Sequence, residues 1–246
     1  MKTKSIIKDS HNFDTFFLIE KNGYSRYIEW LEDALEKAKE NKSKLPEWIL
    51  SMDGMSGQKY RHFISNFINN VNDVRYLEVG CWKGSTSCSA LYKNKVDAYC
   101  IDNWSEFSGP RNQFIKNMEK CVNESNNLIN IELEENDFRK VFYNEIGKYN
   151  VYFFDGPHEE TDQYDGVVVP QDAIEDEFIF ICDDWNWERV RNGTEKAFEK
   201  LKLEVIYSVD IRTTSDNTHP VEYNSMGNSD WHNGYFIAVC KKGGSI

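Results

Sequence analysis

The chain of 246 residues has no Cys-x-x-Cys pair, no long apolar run and no surplus of positive charge. Each absence excludes something. Its six cysteines, Cys81, Cys88, Cys100, Cys121, Cys182 and Cys240, are scattered, several inside apolar segments where a free thiol behaves as a small hydrophobe. A disulfide framework and a structural zinc site are therefore not expected. A spanning helix needs about 20 consecutive apolar residues, and none are present. Met1-Lys2-Thr3-Lys4 is not followed by an apolar signal core, so the expected compartment is the cytoplasm. Lys and Arg number 29 against 41 Asp and Glu, a net charge of -12. Nucleic acid, which needs a basic face to displace counterions, is not an expected partner, nor is a membrane. The acidic excess instead suits a site that holds a cation. No repeat, low-complexity tract or long linker interrupts the chain, which is long enough for one large core.

What is present is an alternation. Residues 1–70 read as an N-terminal extension: a loosely held arm up to about Gly23, then amphipathic helices. The first runs from Arg26 to Asn41, with Tyr27, Trp30, Leu31, Ala34, Leu35 and Ala38 at helical spacing. A short one follows Pro46, and a third spans Gly57 to Asn70. Residues 71–246 read as an α/β domain. Its expected strands are Arg75–Val79, Asp97–Ile101, Leu128–Leu133, Asn150–Phe154, Glu177–Cys182, Leu203–Ile211 and Gly234–Cys240. Helices are expected at Ser85–Tyr92, Arg111–Asn123, Phe138–Ile146, Thr161–Ile174 (with Pro170 inside) and Glu188–Lys202. Such spacing implies βαβ units. The last two strands, joined by the polar stretch Thr213–Asn233, are expected to pair antiparallel. The fold class is thus a Rossmann-like, seven-stranded, mostly parallel sheet with helices on both faces. The apolar stripe of the first helix must pack somewhere, on this domain or against a second copy in a homo-oligomer.

The strand Tyr76–Val79 ends in Glu78-x-Gly80 and turns through Gly84 into a small-residue helix. A second strand closes on Asp102, about twenty residues beyond, where Rossmann-type sites place the acid that holds a ribose. Dinucleotide sites want Gly-x-Gly-x-x-Gly so that pyrophosphate can meet bare backbone. Here the middle position is Trp82, which obstructs a pyrophosphate but not a nucleoside. Glu78 is placed to accept from an amino group or to counter a positive charge, and Asp102 to chelate ribose hydroxyls. Trp82 and Trp104 adjoin these motifs as candidate cofactor contacts. The plainer alternative is an ordinary strand-to-helix turn.

Glu78-Val79-Gly80-Cys81-Trp82-Lys83-Gly84, followed by Ile101-Asp102, resembles the class I S-adenosylmethionine-dependent methyltransferases over about Phe63 to Lys242. That resemblance implies S-adenosyl-L-methionine as cofactor. It places Glu78, Gly80 and Gly84 on the methionine side and Asp102 at the ribose. Asn136-Asp137-Phe138 then falls at the adenine. The missing middle glycine is a departure from the family pattern.

Two more strands end in acid: Asp155-Gly156-Pro157-His158 and Asp183-Asp184. Ligands of open α/β sheets bind at the carboxyl ends of the strands, so these acids should converge near Gly80. Three carboxylates repel unless a cation or a shared proton compensates, and Mg²⁺ takes such oxygen ligands. A methyl acceptor hydroxyl needs its proton removed, by a metal that lowers its pKa or by a base. Asp155 and His158 are the candidate bases, the histidine because it titrates near neutrality. The cluster resembles that of metal-dependent O-methyltransferases acting on catechols and on sugars of macrolides. The resemblance carries metal ligation to Asp155, Asp183 and Asp184. His62, His219 and His232 have weaker cases, the last two in a loop placed to border an acceptor. Phe107, Trp185, Trp187 and Trp231 are candidate stacking surfaces near strand ends. The expected acceptor is a sugar, glycoside or small hydroxylated molecule. A nicotinamide oxidoreductase, which Trp82 disfavours, and a non-catalytic binding protein are the competing readings.

Overall fold

The computed structural model describes residues 3–8, 15–220 and 230–243. Its N-terminal part runs β1 (Thr3–Lys8), β2 (Phe16–Lys21), α1 (Arg26–Lys39), α2 (Glu47–Leu50) and α3 (Gln58–Asn70). Then follow β3 (Arg75–Val79), α4 (Ser85–Leu91), β4 (Val96–Ile101), α5 (Arg111–Glu124), β5 (Ile129–Glu134) and β6 (Tyr149–Phe154). The chain ends with α6 (Glu160–Val168), β7 (Ile174–Cys182), α7 (Glu188–Leu201), β8 (Glu204–Arg212) and β9 (Tyr235–Lys241).

The sheet has nine strands among the described residues, in the order β1-β2-β8-β9-β7-β6-β3-β4-β5. All seven expected strands are there, and β5, β4, β3, β6 and β7 are mutually parallel. β9 runs antiparallel between β7 and β8, as the loop before it implied. The expectation of a seven-stranded, mostly parallel sheet is corrected by β1 and β2, which with β8 and β9 make the sheet mixed. The segment read as a loose arm pairs antiparallel with itself and, through β2, with β8 in the register Phe17↔Ile211. Edge pairing of this kind is decided by a partner nearly 200 residues away, which no local pattern reports. Phe17 anchors it, buried edge-to-face against Trp231 at 5.6 Å.

Two helices also differ. The expected Phe138–Ile146 helix is one 3-10 turn, Phe138–Lys140, capped by Asp137, whose Oδ1 accepts from the Arg139 amide at 3.0 Å. The expected Thr161–Ile174 helix ends at Val168 and finishes as a 3-10 turn around Pro170, which lacks the amide proton an α-helix needs there.

The central strands are largely apolar because helices cover both faces. On one face α1, α3 and α4 bury Leu31, Leu35, Tyr60, Phe63 and Phe67 against Tyr76 and Phe153. On the other α6 and α7 bury Val167, Val190 and Ala197 against Tyr152, Phe154 and Phe180. Among the described residues no helix is long and apolar enough to cross a membrane. Register sets up the site. Val79 stands level with Ile101 and Phe154, and Phe154 with Cys182. Gly80, Asp102, Asp155 and Asp183 therefore emerge side by side at the same end of the sheet.

Candidate cofactor and catalytic site

Gly80 leaves β3 at φ +87° and donates to the Ile101 carbonyl at 2.9 Å. Only glycine fits there: a Cβ would stand 1.9 Å from the Asp155 carbonyl oxygen. Trp82, two residues on, is also left-handed at φ +44°, which costs a non-glycine residue about 1–2 kcal/mol. Asp102 holds that strained turn. Its Oδ2 accepts from the Cys81 and Trp82 amides at 2.7 and 2.8 Å, and its Oδ1 from the Trp104 amide at 2.7 Å. Trp104 Nε1 in turn donates to the Trp82 carbonyl at 2.9 Å. The acid at the end of β4 thus fastens two loops and, with two lone pairs per oxygen, keeps acceptor capacity for hydroxyls. Replacing Asp102 with Ala is expected to weaken nucleoside binding about 10- to 100-fold and to cost a few kcal/mol of stability. Calorimetric titration and denaturant unfolding check both.

A cavity of about 250 Å³ opens beside this turn. Its walls include Gly80, Trp82, Asp102, Trp104, Phe107, Asp137, Phe138, Asp155 and His158, together with Met55. Of the residues singled out for a cofactor, Glu78 and Gly84 are the two that do not line it. Glu78 alternates with Leu77 and Val79 and so points away, into the α3–α4 side, where it is fully buried. Ser87 Oγ donates to its Oε1 at 2.9 Å, and burial pushes its carboxyl up to about 8. Burial therefore favours its neutral acid at neutral pH, so the charged form expected to counter a cation is not the resting one. Gly84 is the left-handed N-cap of α4, packed against Phe114.

The acids at the ends of β6 and β7 close the other end of the cavity. His158 Nε2 lies 2.7 Å from Asp184 Oδ2 and 3.7 Å from Asp155 Oδ1. The nitrogen is buried, and neither contact has the alignment of a full hydrogen bond. Burial disfavours the imidazolium, but the two carboxylates outweigh it and raise His158 to about 10. The expectation that it titrates near neutrality is corrected: flanked by two acids, the ring keeps its proton. Burial lifts Asp155 to about 6 and drives Asp183 well above the carboxylate range, whereas the contact with His158 overcomes burial to hold Asp184 low.

The three acids do not form one group. Asp155, His158 and Asp184 present atoms within 4.8 Å of one another, and Asp183 joins Asp184 and His232 in a second group that shares Asp184. Asn233 Nδ2 donates to Asp184 Oδ1 at 2.6 Å, a contact from the loop before β9 that its polar sequence did not single out. His232, buried among these groups, is pushed down to about 4 chiefly by burial, and packs edge-on to His219 at 5.2 Å. Trp187 packs edge-on to His158 at 5.4 Å, and the Arg189 guanidinium lies 4.5 Å from the centre of the Trp187 ring. Trp185 and Trp231 are interior: the first stacks on Phe236 at 4.4 Å and the second is fully buried. His62 lies away from the cavity, its Nδ1 2.7 Å from Ser43 Oγ.

No protein-family model and no curated protein sequence matches the chain. Solved structures do. A putative caffeoyl-CoA O-methyltransferase from Staphylococcus aureus superposes with a TM-score of 0.56 at 11% identity, covering 86% of this chain and 98% of that one. The O-methyltransferase from Bacillus cereus in complex with SAH gives 0.51 at 10% identity, over 87% and 91%. The chain has a methyltransferase fold. TrmN from Thermus thermophilus gives 0.52 at 8% identity over 79% of this chain, which spans about half of TrmN, 51%. At these identities the likeness concerns the methyltransferase fold, not individual side chains.

Proposed function

We propose that the chain is an S-adenosylmethionine-dependent O-methyltransferase acting on a sugar, glycoside or small hydroxylated acceptor. The observation that carries this reading is one cavity walled by the Gly80–Asp102 turn at one end and by Asp155 and His158 at the other. The residues fit a nucleoside cofactor: Gly80 lines the cavity with bare backbone, and Asp102, already fixed by three amides, retains lone pairs for ribose hydroxyls. Trp104, Asp137 and Phe138 would enclose the base. When bound, S-adenosylmethionine supplies an electrophilic methyl on a sulfonium.

The chain's own part is to take a proton from the acceptor. Asp155, at the cavity wall, is ionised at neutral pH and more basic than an ordinary carboxylate, which suits a general base. His158 holds its proton on the side facing Asp184 and steadies both carboxylates. The two carboxylates, held close together around the charged His158 ring, also fit a hard divalent cation that would take their oxygens in its place. Asp155 and Asp184, with Asp183 beside them, would hold such an ion, which when bound supplies Lewis acidity to a hydroxyl. The acid-rich, aromatic rim favours an uncharged hydroxylated acceptor over a polyanion.

Titration calorimetry with S-adenosylhomocysteine, in Mg²⁺ and in EDTA, tests the reading. Micromolar binding is expected. Silence at millimolar ligand in both buffers, or binding of NAD(P) instead, overturns it. A Mg²⁺-dependent gain that Asp184→Asn removes supports the metal ligands.

A further inference from the structure

We propose that Arg61 is a positioning residue, holding the segment from Ile49, at the end of α2, to Gly57 as a wall of the cofactor cavity. This rests on the cofactor reading given above. Arg61 sits in the first turn of α3 and is 1% exposed. Its Nη1 donates to the carbonyls of Ile49, Leu50 and Met52 at 2.8, 3.1 and 2.8 Å. Its Nη2 donates to the Gly54 carbonyl at 3.3 Å, and Nε to Ser56 O and Oγ at 3.2 and 3.0 Å. The guanidinium thus gathers the carbonyls of one loop, with no hydrogen bond to a carboxylate among the described residues. Placing a charge inside without a counter-ion is costly, and the fork recovers that cost only by fixing the loop's course.

The course matters because of where it leads. Met55 lines the cavity. Asp53 pairs with Lys83 at 2.5 Å, and Ser56 Oγ lies 2.9 Å from Ser85 Oγ. Gly54 lies so close to the start of α4 that a Cβ on it would stand 2.2 Å from Ser85 Cβ. The loop is therefore seated on the outside of the Gly80–Gly84 turn, and Arg61 reaches the cavity through it without touching the cavity itself.

The test is calorimetric titration of S-adenosylhomocysteine into wild type, Met55→Ala, Arg61→Met, Arg61→Lys and the Arg61→Met/Met55→Ala double variant, alongside amide hydrogen exchange. Met55→Ala is expected to weaken binding about 5-fold and Arg61→Met about 30-fold, by loss of packing and of the hydrogen-bonded frame respectively. The double variant should bind within about twofold of Arg61→Met, since a released loop no longer presents Met55 and the two losses cannot add. Arg61→Lys should recover part of the affinity. Exchange should rise in residues 49–57 of Arg61→Met while β3, β4 and β6 stay protected. Wild-type affinity in Arg61→Met, fully multiplicative losses in the double variant, or unchanged exchange in the loop overturns the proposal. So does exchange that rises throughout the chain in both Arg61 variants, which marks a purely structural role. A wild type that binds no S-adenosylhomocysteine while the loop responds as expected overturns the cofactor reading instead.

Discussion

Gly80→Ala is expected to abolish cofactor binding. Two penalties act at once. The left-handed backbone at φ +87° costs an alanine about 1–2 kcal/mol, and the new methyl would enter the Asp155 carbonyl at 1.9 Å. The clash is with backbone, so β3 and β6 must separate at the point where the candidate site is assembled. Asp155 then moves with its strand, and so does the Cys81 and Trp82 amide pair that Asp102 holds. S-adenosylhomocysteine binding should fall by more than about 100-fold, and unfolding should cost at least about 3 kcal/mol less than in wild type. Gly147 is the control. It has nearly the same φ, +88°, and a methyl placed on it would meet nothing within 4 Å. Gly147→Ala should lose only the backbone term, about 1–2 kcal/mol, and bind normally. Equal losses in the two variants would show that strain alone, not the approach of β6, makes Gly80 necessary.

The second large effect is a stability that declines with rising pH because of Glu78. Burial raises its carboxyl from 4.5 to about 8, against the opposing hydrogen bond from Ser87, while the charges of Asp155 and Asp102 add to the rise. Below pH 4.5 both folded and unfolded chains carry the proton, and Glu78 contributes no penalty. Between 4.5 and 8 only the folded chain retains it, so stability falls as pH rises, and the loss is complete above 8. At about 1.4 kcal/mol per unit the full effect is on the order of 5 kcal/mol. Glu78→Gln keeps an oxygen for Ser87 and cannot ionise. Denaturant unfolding of both proteins from pH 5 to 8.5 should show the wild type losing ground to the variant across that window. His158, held charged by its neighbours, loses its contribution only as pH climbs from 6.5 through about 10. Buried His232 works oppositely, costing stability as pH falls from 6.5 towards 4. Both act in the two proteins alike, so their difference isolates Glu78, and parallel curves would overturn the assignment.

The elements that carry the candidate site were legible because they are locally encoded. Tyr76–Val79, apolar apart from Glu78, and Val151–Phe154 are short runs that fit strands covered on both faces, and each is stopped by a glycine or an acid at the cavity. Because βαβ connections set all parallel strands pointing the same way, the acids that end them had to meet. Burial of individual side chains was less legible. Trp231 and Trp185 sit in loops by sequence yet pack inward, since the N-terminal strand and β9 bring Phe17 and Phe236 to them. His158 had the composition of a base near neutrality; the 2.7 Å approach of Asp184, from another strand, makes it a held cation. Arg61 looked like one more polar residue on an amphipathic helix, and its donors find their acceptors in the loop before it.

The alternation of strands and helices, the glycine turn and the gathering of Asp102, Asp155 and Asp183 follow from the amino-acid sequence, because periodicity and strand termini are properties of short segments. The nine-stranded sheet, the inward turn of Glu78, the sharing of Asp184 between two donor groups and the seating of residues 49–57 on the Gly80–Gly84 turn were decided by tertiary structure. Each depends on which distant surface a side chain meets, and contact distance, burial and charge at that meeting are not encoded in any one segment.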